Sequence, residues 1–327
     1  GNNAWVREKT VSQPVSVFSG RRKEKSMKNL FLFLAFFSVS VSAVDCSIQY
    51  GKGGGREKDG TCFIAFDGSR SYPALSLIPS SLKEETYYKL SFDAELENLP
   101  LTIRFQEKNG SVTRFQGCPE NTTGKQHFTF YFRTGKGTEG NSSFALYPNP
   151  GKAGRGRIGN IRLDALEEFS ENLLPEGDFE LGSALQARHK RFGEQVEIVD
   201  SPAFFSGEKS LILRKNPDDF AALISGDLPA IPGKTVKIRF WVRSRKGTVP
   251  GLLYLDFFQQ GYSKHFYRTF SFQAEEEWKE FSWSCSIPSD LAAYPALAEG
   301  MARLQFHLLK SPQAAVVCFD NLEYWME

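Results

Sequence analysis

From residue 44 onward the chain consists of short segments in which apolar and polar side chains alternate, separated by turns rich in Gly, Pro, Asn and Asp. Val236-Lys237-Ile238-Arg239-Phe240-Trp241-Val242-Arg243 is the clearest of them. A period of two sends successive side chains to opposite faces of a strand, whereas a helix would scatter the same apolar residues around its circumference. Further strands are expected at 252–258, 265–272, 279–285, 303–309 and 316–324. Turn pairs such as Pro232-Gly233 precede several of them, as in an all-β sandwich. Only residues 289–298 read as helical, for a turn or two.

The pattern is written twice. Tyr87-Tyr88-Lys89-Leu90-Ser91-Phe92 has its counterpart in Thr235-Val236-Lys237-Ile238-Arg239-Phe240. Leu101-Thr102-Ile103-Arg104-Phe105 then answers to Leu253-Tyr254-Leu255-Asp256-Phe257, and Ile158-Gly159-Asn160-Ile161-Arg162-Leu163 to Cys318-Phe319-Asp320-Asn321-Leu322-Glu323. With 327 residues, 41% of them hydrophobic, the chain has material for two cores. The expected division is a first, shorter jelly roll over 44–167 and a second over 171–327.

The first 43 residues follow another rule. Met27-Lys28-Asn29 gives a basic start, residues 30–37 an apolar run, and Val41-Ser42-Ala43 a small-residue cleavage point. That is the form of a secretory signal peptide, too short to span a membrane. Residues 1–26 are then expected to be a non-native or over-extended stretch, and the mature protein to be secreted, periplasmic or at the cell surface. Residues 1–26 carry a formal +4 and Lys28 one more, so the +2 of the whole chain becomes −3 beyond residue 43. A slightly acidic chain has no general attraction for nucleic acid, and that class of partner is excluded. All five cysteines, Cys46, Cys62, Cys118, Cys285 and Cys318, lie beyond the cleavage point without a C-x-x-C pair. Export permits disulfides, and Cys285 with Cys318 is one candidate pair, against the alternative of buried free thiols.

Four further motifs stand in order in the second half: Asn172-Leu173-Leu174-Pro175-Glu176-Gly177-Asp178-Phe179-Glu180, then Ser206-Gly207-Glu208-Lys209-Ser210-Leu211, then Pro232-Gly233 leading into the Trp241 strand, and lastly Phe319-Asp320-Asn321-Leu322-Glu323. In this order and spacing they resemble carbohydrate-binding modules of the family 4/9 type, galactose-binding-like jelly rolls, over about residues 171–325. The resemblance implies two tandem jelly-roll sandwiches and binding of a poly- or oligosaccharide. It also implies a structural calcium, with Asp178, Glu180 and Asp320 at the matching positions. Calcium takes six to eight oxygens, which three carboxylates and backbone carbonyls can supply; ordinary turn carboxylates are the alternative.

Sugars are recognised by aromatic faces against their C–H surfaces and by polar side chains against their hydroxyls. Alternation turns Trp241 and Arg243 outward, together with Tyr254 and Asp256, and with Arg303, Gln305 and His307. These residues, joined by Tyr267, are the expected ligand face. The first half is poorer: Tyr131, Arg104 and Tyr147 are its candidates, and no second site is expected. An outward tryptophan also serves as packing beneath a loop or a neighbouring domain. The four histidines form no H-E-x-x-H, and no G-x-S-x-G elbow occurs. Gly154-Arg155-Gly156-Arg157-Ile158-Gly159 fits G-x-G-x-x-G but leads into a strand, so it is not a phosphate loop. No enzyme activity is expected, and a catalytic polypeptide, if one is needed, is a separate partner. The competing reading is a structural or adhesion protein whose jelly rolls pack against protein partners or the cell surface.

Overall fold

The computed structural model describes residues 44–327, apart from 70–71, 108–112, 118–121, 123, 137–141, 150, 152, 181–184, 188–194, 201–204 and 259–264. The expected signal peptide and the stretch before it, Cys118 and the asparagines of the three N-x-S/T sequons (Asn109, Asn121, Asn141) lie outside the described residues. Among the described residues no helix is long and apolar enough to cross a membrane.

Ten strands make the first half: β1 (Cys46–Tyr50), β2 (Gly54–Arg56), β3 (Cys62–Asp67), β4 (Leu75–Pro79), β5 (Tyr87–Glu97), β6 (Leu101–Glu107), β7 (Thr113–Gly117), β8 (Gln126–Arg133), β9 (Ser142–Pro148) and β10 (Ala153–Leu166). They form two sheets, ordered β1-β4-β9-β6-β7 and β2-β3-β10-β5-β8. The second half continues with β11 (Leu185–Ala187), β12 (Gln195–Asp200), β13 (Lys209–Lys215), β14 (Ala221–Ser225), β15 (Leu228–Pro229), β16 (Thr235–Ser244), β17 (Val249–Phe258), β18 (His265–Ala274), β19 (Lys279–Ser286), β20 (Met301–Leu308) and β21 (Ala315–Met326). Its sheets run β11-β14-β20-β17-β18 and β12-β13-β21-β16-β19, with the short β15 added against β20. Setting β15 aside, the second order is the first repeated strand for strand. The chain is all-β, two tandem jelly-roll sandwiches.

The duplication extends to a shared irregularity. The register of β10 against β5 shifts between Gly159 and Arg162, and that of β16 against β21 between Arg239 and Trp241, opposite Glu323 and Asp320. Asn160 and Asn321 occupy these places with φ of 52° and 45°. Asparagine tolerates the left-handed region better than most residues, so one side chain solves the same bulge twice.

Each sandwich closes over its own aromatic core. In the first, Phe132 lies 4.4 Å from Phe105 and 4.6 Å from Phe144. In the second, Phe240 is the hub, with Phe306 at 5.0 Å and Phe272 at 5.4 Å, and Phe306 reaches Phe319 at 5.3 Å. The outer side of β5 and β8 docks on the second sandwich: Tyr87 and Tyr131 are buried within the second core's cluster. The Tyr87 hydroxyl donates to the Gly300 carbonyl at 3.0 Å, and Arg133 Nη1 to that of Ala298 at 3.1 Å. The connecting chain is tied to β21 by Met326 N to Phe169 O and Leu173 N to Tyr324 O.

Two local expectations take definite form. The helical turn of 289–298 is a short 3-10 helix over Pro295–Glu299, opened by Pro295 at its first position, where no intrahelical N–H is needed, and closed by Gly300 in the left-handed region. Cys285 and Cys318 are both free, as are Cys46 and Cys62. Cys285 pairs with Val236 at the start of β16 and Cys318 with Arg243 near its end, so a whole strand separates the two thiols.

Candidate functional site

The expected ligand residues divide between the two outer faces of the second sandwich. Trp241 and Arg243 lie on β16, in the sheet with β19 and β21. Tyr254 and Asp256 on β17, Tyr267 on β18, and Arg303, Gln305 and His307 on β20 lie on the opposite sheet. A single platform joining Trp241 to Tyr254 is therefore not formed. Alternation separates inward from outward along one strand but does not say to which sheet the strand belongs.

Trp241 is covered by its own domain. Phe205 stacks on it with ring centroids 3.5 Å apart and planes 12° from parallel, and Trp278 approaches Phe205 edge-on at 6.4 Å. Arg243 in turn sits over the Trp278 ring at 5.5 Å. The strap carrying Phe205 is clipped in place by carboxylates. Phe205 N and Ser206 N donate to Asp320 Oδ2 at 2.9 and 3.1 Å, and Asn321 N to Oδ1 at 2.7 Å. Glu180 Oε1 accepts from Glu208 N at 2.8 Å and Lys209 N at 2.9 Å, and Asp178 Oδ1 from Glu180 N at 3.2 Å. Burial pushes the Asp320 carboxyl up, the three backbone hydrogen bonds oppose this, and the nearby Glu180 charge adds to it.

These are the three carboxylates expected to hold calcium. As placed, each is engaged with backbone N–H groups, and the exposed Asp178 serves only its own turn. Among the described residues no three His, Cys, Asp or Glu side chains converge on a common point. In this arrangement the three carboxylates serve as hydrogen-bond acceptors for the strap and its neighbouring turn.

The opposite face is different. Starting beside β14 and crossing β20, β17 and β18, four rings follow one another. Phe220 lies 6.5 Å from His307, His307 4.7 Å from Tyr254, and Tyr254 5.9 Å from Tyr267. The strands set this spacing. Tyr254 pairs with Gln305 and Thr269, and Asp256 with Arg303 and Tyr267, so cross-strand neighbours fall beside each other on one side of the sheet.

A polar chain threads the row. Gln305 Nε2 donates to Asp256 Oδ2 at 2.7 Å, and its Oε1 lies 3.2 Å from His307 Nε2. His265 Nδ1 lies 3.5 Å from the other Asp256 oxygen. Arg303 Nε is held by Asp227 Oδ1 at 2.5 Å, and Asp227 is only 1% exposed. The face thus brings together six of the eight expected residues and adds Phe220, His265 and Asp227. His265 was within reach of the sequence, standing two residues before Tyr267 on an expected strand. Phe220 and Asp227 were not, since both lie in connections just outside β14. Rings able to stack, with a carboxylate and an amide between them, can take a ligand with flat apolar surfaces edged by hydroxyls.

No protein-family model matches the sequence, and no curated protein matches it. Among solved structures it is similar to the N-terminal CBM22-1-CBM22-2 tandem domain of Xyn10C from Paenibacillus barcinonensis, with 14% identity and a TM-score of 0.37 over 88% of this chain and 99% of that one. It is also similar to TmCBM61 in complex with β-1,4-galactotriose, with 16% identity and a TM-score of 0.35 over 48% of this chain and 100% of that one. A third is the family 11 carbohydrate-binding module of Lic26A-Cel5E of Clostridium thermocellum, with 14% identity and a TM-score of 0.35 over 49% of this chain and 96% of that one.

Proposed function

We propose that this protein is a non-catalytic, exported carbohydrate-binding protein that holds a poly- or oligosaccharide on the β14-β20-β17-β18 face of its second sandwich. One observation carries the reading. Phe220, His307, Tyr254 and Tyr267 form a continuous aromatic row across neighbouring strands, with Asp256, Gln305 and His307 joined by hydrogen bonds alongside it.

In this reading the tyrosine rings and Phe220 take the C–H faces of successive sugar rings. Asp256 accepts from hydroxyls, and the Gln305 amide and the His307 imidazole orient around it. Each neutral hydrogen bond contributes about 0.5–1.5 kcal/mol net, so several must act together with stacking. Affinity for a single site then falls in the micromolar to millimolar range, roughly −8 to −4 kcal/mol. Arg303 is already compensated by Asp227, and its role is to brace the edge of the face. Trp241 and Arg243, under the Phe205 strap, belong to packing in this reading.

Affinity gel electrophoresis against soluble β-glucan, arabinoxylan, xyloglucan and galactan tests it, with residues 44–327 beside a Tyr254→Ala variant. Retardation in one of these gels, lost in the variant while its fold persists, supports the reading. Retardation in none of them, or retardation unchanged by Tyr254→Ala, overturns it.

A further inference from the structure

Lys215 ends β13 with only 3% of its surface exposed. Its Nζ lies 3.0 Å from the carbonyl oxygen of Asn216, 3.2 Å from that of Ser311 and 3.0 Å from that of Gln313. An ammonium has three hydrogens to donate, and here three carbonyls receive them. The carbonyls come from two separate turns. Asn216 belongs to the turn from β13 to β14, while Ser311 and Gln313 belong to the turn from β20 to β21. A further bond, Asp218 N to Ser311 O at 2.8 Å, joins the same two turns.

This arrangement lies next to the aromatic row. Four residues after the tether comes Phe220, whose N–H is capped by Asp219 Oδ1 at 2.8 Å and whose ring faces His307. His307 stands four residues before Ser311 on the other tethered connection. Burial holds the Lys215 ammonium below the ordinary lysine range, opposed by the nearby Asp219 and Asp218 charges. The buried ammonium does here what an apolar side chain cannot: it links the Asn216 carbonyl of one turn to the Ser311 and Gln313 carbonyls of the other, which otherwise receive Asp218 N and Ser311 Oγ.

We propose that Lys215 is a positioning residue for the ligand face: its ammonium is an internal cation that ties the two turns together and thereby sets the Phe220 ring against His307. The consequence for binding rests on the carbohydrate reading of that face; the tether itself does not.

The experiment is a truncation with chemical rescue. Lys215→Ala leaves the three carbonyls and space for a small cation, which ethylammonium chloride supplies. Tetraethylammonium chloride at the same ionic strength is the control, being too large to enter. The expected result has three parts. Lys215→Ala lowers Tm, moves the His307 ring resonances in an NMR spectrum as the Phe220 ring current changes, and weakens retardation in the best polysaccharide gel several-fold. Ethylammonium reverses all three and tetraethylammonium none.

A merely structural lysine would lower Tm without moving the His307 signals selectively. Unchanged His307 resonances in folded Lys215→Ala overturn the proposal, and so does failure of ethylammonium to restore them. Should Lys215→Ala not fold, Lys215→Met keeps the aliphatic volume and is read by the same His307 signals. If the wild-type protein binds none of the polysaccharides, the carbohydrate reading fails, while the resonances and their rescue still decide the role of Lys215.

Discussion

The two sandwiches share a strand order, a bulge and an aromatic core, yet their outer faces have little in common. Where the second places Tyr254 and Asp256 on β17, the matching segment of the first has Thr102 and Arg104 on β6. Thr102 bonds to Asn149 at 2.9 Å and pairs with Tyr147, and Arg104 pairs with Ala145. No row of rings crosses that sheet among the described residues. On the other sheet, the place of Trp241 is taken by Asp93, which gathers His127 at 2.8 Å, Lys125 at 2.9 Å and Asn160 at 2.6 Å. Burial works against it, but those three hydrogen bonds hold the Asp93 carboxyl down at about 2. The duplicated scaffold keeps its inward positions and varies its outward ones. In the proposed reading one copy's surface takes a ligand, while the other's is partly used in docking on its neighbour.

The core half of that comparison is tested by the largest effect. Phe144→Ala in the first sandwich and Phe306→Ala in the second each remove a fully buried ring, at a cost of about 3–5 kcal/mol. Calorimetry of both variants distinguishes coupled from independent copies. Because Tyr87 and Tyr131 belong to the second core's cluster, either lesion is expected to lower a single shared transition. Two transitions, of which only the damaged one moves, would show that the docking surface contributes little.

The surface half is tested next. Tyr254→Ala is expected to weaken polysaccharide binding by tenfold or more, about 1.4 kcal/mol, while Tyr147→Ala on the matching face of the first sandwich leaves it unchanged. Equal losses would mean that the sites are duplicated along with the fold.

Most of the fold was legible because it is written locally. The alternation of Val236 to Arg243 fixes which side chains enter the core, and β16 buries Val236, Ile238, Phe240 and Val242 as that pattern requires. The candidate ligand face was legible only in part, because sheet membership is a long-range property. Nothing near Trp241 in sequence tells that β16 and β17, joined by a short turn, belong to opposite sheets. Nor does the sequence around Asp227 tell that its carboxylate meets Arg303, 76 residues later. The cover over Trp241 is equally non-local, since Phe205 reaches it from a strap held by Asp320.

The docking of one copy on the other is sharpened by smaller changes. Tyr87→Phe removes the hydroxyl that donates to Gly300 and leaves the ring in place, for an expected loss of about 0.5–1.5 kcal/mol in denaturant unfolding. Glu176, 5% exposed in the turn after the connection, adds a pH dependence. Burial pushes its carboxyl up, against the charges of His127 and Lys89. A folded pKa above the unfolded one means that the native state holds the proton more tightly. The stabilisation is therefore full below the ordinary glutamate value and is lost as pH rises through the raised one. Glu176→Gln, neutral at every pH, is expected to melt higher than wild type at neutral pH and to flatten the pH profile above about 4.5. A variant that melts lower at neutral pH would instead indicate an ionised Glu176 paired with Lys89 or His127.

The smallest expected effect concerns the strap. Asp320 is fully buried, and Gly159 stands in its place in the first copy, which carries the same asparagine bulge without a carboxylate. The carboxylate is thus not needed to make the bulge. Its oxygens receive three backbone N–H groups, from Phe205, Ser206 and Asn321. A cation drawn to the same oxygens would compete with these three N–H groups. Melting in excess chelator and in millimolar calcium is accordingly expected to give the same Tm, whereas Asp320→Asn lowers it by freeing the strap from Trp241. An upward shift with calcium that Asp320→Asn abolishes would show instead that this corner gathers a metal when one is offered, and that the two copies differ by a cation site as well as by a ligand face.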